Sequence, residues 1–487
     1  FKVFVLLRSL RGAHLSVWCW PLPHPKAWGY FVSFVLCFNP ENRLVLVRNN
    51  KKAAGPGFFD FSMGLRGNIP EFFLSLHRVY GDVVRCPIPF FPPLYILNHP
   101  DHIRHVLSLK APNYPREDFI SRRFQAVFGN GSVSATGDAW ARQRKIINPA
   151  FQRKFLERSF HVLDKLSRGL VESWKIKAEK REPVEVVSEM RNLTMDMLWE
   201  VLFNFSPKNL RHEIYRPVEL GVSYIGTPVP LFVSRWMPTP TNWQFYFENR
   251  KLERILKDRI AERRKSVGST DDLLDFLLRY KDPKSGLPLS EQAILEELKT
   301  LAPAGYLTTG ASLAWLFYLL GRHPEHIGKL NEECRSVKGT AFSYAHFESL
   351  PYTLGCIYET LRLYPTGWSL WRSASEEDKI DDFRIEKGAT MVCSPYTAHR
   401  HPDFWSAPET FNPSRDFSSS MGHTYFPFGL GPRRCVGENL AMVELMMIVP
   451  MIFRHFRFSV LPGPEVQMDH RVILSPVPSL NIQLETI

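Results

Sequence analysis

Cysteine is scarce in this chain of 487 residues: there are seven, an odd number, and no two stand as Cys-x-x-Cys. That argues against a disulfide framework, a cysteine-built zinc site and an iron–sulfur cluster, and makes a reducing compartment such as the cytoplasm the natural setting. A dinucleotide fingerprint is missing too. Gly129, Gly131 and Gly137 have the wrong spacing for one, and no βαβ pattern surrounds them. Excess charge is confined: the net charge is +12, but residues 1–54 carry +7 of it and the remainder only +5. With so mild a basic body and no recognisable motif, nucleic-acid binding is not expected. Within residues 1–54 the longest charge-free apolar run is 14 residues (27–40), too short to span a bilayer.

What is present is ordinary in bulk, with 44% hydrophobic and 23% charged residues, enough for a sizeable core. The opening segment is different. It is basic and aromatic, with Trp18, Trp20, Trp28, Tyr30 and Phe31 among its residues. Such a mixture suits the surface of a membrane, and a poorly ordered extension is the equal alternative. The expected division is therefore an N-terminal extension over 1–54 and one catalytic domain over 55–487.

Most of the chemistry is concentrated in Phe428-Gly-Leu-Gly-Pro-Arg-Arg-Cys-Val-Gly437, which leads into a helical run, Glu438-Asn-Leu-Ala-Met-Val-Glu444. Each residue type has a use if Cys435 is a thiolate ligand. Gly429 and Gly431 permit tight backbone turns in which N–H groups point at a sulfur anion. Those groups, with the helix N-terminus that follows, stabilise a thiolate and tune a metal it holds. Gly437 leaves room for a flat cofactor, and Arg433 offers a fixed charge to a carboxylate. The plainer alternative is a structural thiol on a turn.

This stretch resembles the haem-binding loop of the cytochrome P-450 superfamily, Phe-Gly-x-Gly-x-Arg-x-Cys-x-Gly, with all six specified residues at their spacing. Three further motifs follow in the family's order. Trp140-Ala-Arg-Gln-Arg144 resembles its Trp-x-x-x-Arg helix, with both side chains on one face; the resemblance implies that both reach a haem propionate. Ala304-Gly-Tyr-Leu-Thr-Thr309 resembles the segment of the central helix that crosses the haem face. There Gly305 is expected to let the backbone approach oxygen in a locally widened helix, with Pro303 adding a kink. Thr308, with Thr309 beside it, is expected to help deliver a proton. The family's acidic position is Leu307 here, and leucine relays no proton. Thr308 with ordered water is then expected to suffice; use of peroxide, or rearrangement of an oxygenated substrate without reductant, are the alternatives. Finally, Glu359-Thr-Leu-Arg362 resembles the Glu-x-x-Arg pair, and Arg415 the third member of its buried network, although Asp416 is inserted before Phe417.

The resemblance implies a mainly α protein with a small β-rich part, the cytochrome P-450 fold. It implies haem b (iron protoporphyrin IX) on Cys435, O2 as co-substrate, and insertion of one oxygen atom into a C–H bond of a lipophilic small molecule. No flavin or nicotinamide fingerprint occurs in residues 436–487, so NAD(P)H electrons would arrive through a separate ferredoxin, flavodoxin or flavoprotein reductase. Arg142, Lys145, Arg153 and Lys154 are candidates for drawing in an acidic partner. Arg372 matches a residue that meets a propionate. Phe119, Phe124, Ala304, Leu307, Trp368, Leu370 and Pro476 are the expected pocket. A peroxygenase, an isomerase and a catalytically silent haem protein are the other readings; no oligomer is implied.

Local patterns predict a helix over 68–80, strands near 82–88 and 94–98, and a loop over 111–137. Long helical patterns run over about 150–205, 243–266 and 289–320. The stretch 222–242, rich in Pro, Phe and Trp, corresponds by the resemblance to the family's apolar lid over the substrate channel. Short strands are expected within 380–396. Cys356 and Cys393 read as buried thiols, His399 and His401 as structural.

Overall fold

Capping chemistry sets the helix ends. In the computed structural model, which describes residues 36–38, 44–46, 53–89, 91–116, 119–226, 239–270, 272–283, 285–337, 344–420 and 422–487, Asn68 accepts the Glu71 N–H where the helix Ile69–Tyr80 begins. Ser290 accepts the Ala293 N–H in the same way. Five helices position the site: α1 (Gly137–Ile147), α2 (Val186–Phe203), α3 (Glu291–Arg322), α4 (Pro351–Leu363) and α5 (Glu438–Phe453). The second half of α5, Leu-Met-Met-Ile-Val-Pro-Met-Ile-Phe, is apolar on all sides and is buried on all sides. Beside it, α3 is buried over most of its length and crosses α2.

Two glycines permit that crossing. A Cβ on Gly305 would stand 2.4 Å from Leu198 Cδ1, and one on Gly310 would stand 3.1 Å from Arg191 Cα. The two helices are also tied by Thr194, whose hydroxyl donates to the Tyr306 carbonyl at 2.9 Å. A four-stranded sheet flanks the helices, built from β1 (Val83–Cys86), β2 (Leu94–Leu97), β3 (Leu370–Ser373) and β4 (Thr390–Cys393) in the order β1-β2-β4-β3. The β2–β4 pair is parallel and the other two are antiparallel, with Leu370 opposite Cys393. The residues divide into two compact units, 1–50 and 51–487. Of the first, the described part is an antiparallel pair, Leu36–Phe38 with Leu44–Leu46. The membrane reading of the opening segment thus lies outside the described residues. Among those described, no helix is long and apolar enough to cross a membrane.

Several expectations change. Residues 111–137 are not all loop, because Phe119–Phe128 is a helix whose Val127 and Phe128 pack with Leu220, Ile225 and Phe245. Its apolar face is short and needs that partner, so propensity alone hides it. The helical pattern over 150–205 is a short helix, Arg153–Glu157, and two long ones, Phe160–Glu179 and α2. Arg181, with φ 53°, and Pro183 break the long ones apart ahead of the strand Val184–Glu185. The expected widening at Gly305 is absent, and α3 stays α-helical through Pro303 and Gly305. Of the apolar lid, residues 227–238 lie outside the described residues.

Candidate active site

Two glycines with positive φ, Gly429 at 77° and Gly431 at 69°, shape the loop ahead of α5. At Gly431 no side chain fits, since a Cβ would lie 1.9 Å from the Leu107 carbonyl oxygen. The Cys435 N–H donates to the Phe428 carbonyl at 2.8 Å and closes the loop. Cys86, Cys334, Cys356 and Cys393 are buried, whereas Cys435 is exposed. Its sulfur lies deep among protein atoms, yet opens on a cavity of about 240 Å³ lined by Arg144, Phe151, Gln152, Glu438 and others. Burial pushes the thiol pKa up, while the N–H groups of Gly437 and Glu438 and the Arg144 charge pull it back. A Cβ at Gly437 would stand 3.8 Å from the sulfur, in the space beside it.

Around Arg433 three further guanidiniums gather. Its guanidinium lies 4.0 Å over the Trp140 ring and donates to the Ala135 carbonyl at 2.8 Å. Burial first, then Arg116, Arg372 and Arg144, push its pKa down to about 9. Among the described residues, none of the groups that shift it is an anion. Arg372 is brought in by β3 and is buried; Arg116 is held by Ser121 Oγ at 3.2 Å and the Val133 carbonyl at 2.6 Å. Arg116 escapes sequence reasoning because nothing in Asn113-Tyr-Pro-Arg116 marks it. Four converging guanidiniums make a receptor for carboxylates.

On α3, every residue from Glu297 to Phe317 is buried except Ala304, Gly305, Leu307 and Thr308. These make a window in an otherwise covered helix. Thr308 Oγ1 donates to the Ala304 carbonyl at 2.7 Å, and Thr309 Oγ1 to that of Gly305 at 3.2 Å. The hydrogen that stands in for a side chain at Gly305 faces Leu198, so packing on α2 demands the glycine. Leu307 packs at the edge of the main core. Thr309 also bonds to Glu444 of α5, a wholly buried carboxyl whose Oε1 has no partner; burial pushes its pKa up to about 8. The signal for Glu444 was one acid inside an apolar run.

The remaining pocket candidates are scattered. Leu370 Cδ1 lies 3.6 Å from where a Gly429 Cβ would be, and Phe124 sits 5.5 Å from the Arg116 guanidinium. Trp368 packs on Phe73 and donates to the His470 carbonyl at 2.9 Å. Pro476 is buried in the strand Ser475–Val477, and the Phe119 side chain lies outside the described residues.

Behind the loop, Glu359 and Arg362 of α4 are both fully buried. Arg362 Nε and Nη2 reach the carboxylate at 2.6 and 2.9 Å, and Arg415 Nε reaches it at 2.9 Å. Arg362 also donates to the His399 carbonyl at 2.8 Å, and His399 Nε2 accepts the Phe426 N–H at 2.9 Å, two residues before Phe428. The inserted Asp416 therefore does not displace Arg415 from the network. His399 is neutral in this setting, its pKa lowered well below the usual value by burial.

An accessible sulfur fed by backbone N–H groups, a cluster of arginines and a windowed helix fit a flat, dianionic iron porphyrin, and define a haem-thiolate protein. The sequence model of the cytochrome P-450 family matches residues 58–484, and the chain belongs to that family. It is 29% identical to Protein LUTEIN DEFICIENT 5, chloroplastic, of Arabidopsis thaliana, over 82% of this chain and 71% of that one. Cyclooctat-9-en-7-ol 5-monooxygenase of Streptomyces melanosporofaciens is 29% identical, over 81% and 86% of the two chains. The ultra-long-chain fatty acid omega-hydroxylase of Homo sapiens is 27% identical, over 81% and 80%. The protein is a cytochrome P-450 monooxygenase, with haem b ligated by a cysteine thiolate, O2 as co-substrate and NAD(P)H electrons delivered by a redox partner.

Gly431→Ala tests how tightly the loop is specified. The left-handed φ alone costs about 1–2 kcal/mol, and the Leu107 carbonyl must also move. Haem content and Tm should both fall, whereas Gly328→Ala, on an open helix face with nothing within 4 Å, should leave both intact or raise Tm.

Proposed function

We propose that this monooxygenase hydroxylates a hydrocarbon-rich small molecule, with Cys435 as the iron ligand and electrons from a separate acidic protein. The single observation that supports it most is the pairing of one accessible thiol with the window at Ala304, Gly305, Leu307 and Thr308. When bound, haem supplies the activation of O2. The chain supplies the rest. Gly437 and Glu438 direct N–H groups at the sulfur, while Arg116, Arg144, Arg372, Arg433 and the Trp140 indole hold the two carboxylates. Glu359, Arg362 and Arg415 brace the loop. Ala304, Leu307, Phe124 and Leu370 present apolar surface, which excludes water and favours a lipophilic guest. The names of two relatives, with a cyclooctatenol and an ultra-long-chain fatty acid, are in keeping with that class. The test is the absorption spectrum of the reduced, carbonyl-bound protein, followed by a screen of lipids and terpenoids for spin-state shifts. A thiolate-type band is expected; a histidine-type band or a colourless protein would overturn the reading.

Proton supply is assigned to Glu444 and the two threonines. Glu444 is protonated at neutral pH and passes its proton to Thr309 Oγ1 as that hydroxyl releases its own toward the window beside Thr308, and the carboxylate left behind is reprotonated before the next turnover. Glu444→Gln keeps the volume and removes the proton, so product formed per reductant consumed should fall roughly tenfold, less than the 10²–10⁴ of a direct general acid. In the wild type this ratio should decline as pH rises through about 8, where the carboxyl ionises, and the glutamine variant should lose that dependence. Leu307→Glu should raise the ratio; an unchanged value would remove the idea that the leucine makes proton delivery inefficient.

Arg142, Lys145 and Lys154 are exposed on and just after α1, the helix that carries Arg144 to the sulfur cavity. Reversing Arg142 and Lys145 to glutamate should slow electron delivery from an acidic partner about tenfold at low salt. The deficit should shrink as ionic strength rises.

A further inference from the structure

Three side chains outside the haem machinery converge where the helix Ile69–Tyr80 ends and β1 begins. His77 lies in the last turn of that helix, Gly81 reverses the chain at φ 86°, and Asp82 follows one residue later. His401 arrives from the turn beyond the helix Pro395–Ala398. Asp82 Oδ1 is 3.2 Å from His77 Nε2 and 3.1 Å from His401 Nε2. One donor atom from each of the three lies within 4.8 Å of the others. Both imidazoles are buried, whereas the Asp82 side chain is 38% exposed, so the group is walled on one side and open on the other.

We propose that His77, Asp82 and His401 bind a divalent transition ion of the zinc class, with a further coordination position open to solvent. The donor set argues for the class: two imidazoles and one carboxylate suit zinc and its neighbours, while calcium and magnesium prefer oxygen throughout. The geometry argues for the site. Bonds of about 2.0–2.2 Å to a tetrahedral ion place neighbouring donors about 3.3 Å apart, close to the two measured edges. The third edge, between imidazole nitrogens, is at most 4.8 Å and has to close by ring rotation on binding.

Protons balance without an acid or base. In the ion-free triad both Nε2–H groups donate to Asp82; on binding, each neutral ring carries its proton on Nδ1 instead. For His401 that shift gives up the contact from the Asp403 N–H, a long one at 3.3 Å. His99 stands edge-on to His401, with ring centres 5.7 Å apart, but its Nδ1 accepts the Asp101 N–H at 3.2 Å and is not offered. No spacing in the sequence shows this group, because His401 is 319 residues from Asp82.

The test is equilibrium dialysis of the haem-loaded protein, first stripped with chelator, against zinc chloride alone, with bound zinc counted per chain. The wild type should take up one zinc more than Asp82→Asn or His401→Asn, with affinity lower by on the order of tenfold or more in each variant. His102→Asn, whose ring pairs with Asp381 instead, should bind as the wild type does. Zinc should raise the Tm of the wild type and of His102→Asn only, and excess calcium should not displace it. If either variant loses its haem, His77→Gln is read in its place. Equal zinc uptake by the wild type and a haem-loaded ligand variant, or none by the wild type, would overturn the site and leave a hydrogen-bonded clasp.

Discussion

Cys435→Ser should abolish oxygen insertion, by three orders of magnitude or so, while the chain still folds. The size follows from removing several kcal/mol of charge donation at the reacting centre, at about 1.4 kcal/mol per factor of ten. The survival of the fold follows from exposure. Cys86, Cys334, Cys356 and Cys393 are buried in the core, whereas Cys435 faces a cavity. Its contribution to loop closure is a main-chain N–H donated to Phe428, which serine keeps. A serine hydroxyl is not ionised at neutral pH, so the N–H groups of Gly437 and Glu438 would face a neutral oxygen. The checks are Tm, haem content and the reduced carbonyl spectrum: a near-normal Tm, less haem and no thiolate-type band. A variant that kept both the band and turnover would show that another residue holds the iron.

What the sequence made legible, and what it hid, separates by range. The cysteine loop was readable because its needs are local: glycines where φ must be positive, a cysteine four residues after Gly431, an arginine two before it. The helix Asn68 caps and the α3 start at Ser290 were readable for the same reason. Arg116 and Glu444 were not, since each matters only through partners far along the chain: Arg433 for one, Thr309 for the other. Gly305 is instructive in another way. Its place in a motif implied an approach to oxygen; the atom its Cβ would meet belongs to Leu198 of α2, a separate demand for glycine that the motif does not show. Motif spacing tells which residues cluster; the direction of each side chain depends on tertiary packing.

Glu359→Ala should prevent accumulation of haem-loaded protein altogether. The glutamate is the anion bonded to both Arg362 and Arg415, and it also accepts the Asn412 N–H at 2.9 Å. Without it, Arg362 would remain fully buried with its charge answered only by carbonyls of His399, Pro408 and Thr410. Burial already lowers the Arg362 pKa, against the pull of Glu359, so the guanidinium cannot be left alone there without large cost. Breaking one side of a buried pair costs about 3–5 kcal/mol, a large part of the 5–15 kcal/mol that holds a typical domain together. The damage has a route to the haem. Arg362 holds His399, and His399 holds the Phe426 N–H just ahead of the cysteine loop. Glu359→Asp, one methylene shorter, should fold with reduced Tm and reduced haem uptake, because it keeps the charge but cannot reach both arginines. Haem-to-protein ratio and Tm, measured on both variants after expression at low temperature, separate the outcomes. A well-folded, haem-replete Glu359→Ala protein would mean that the arginines relax to solvent, and that the loop is braced by its own turn rather than by this network.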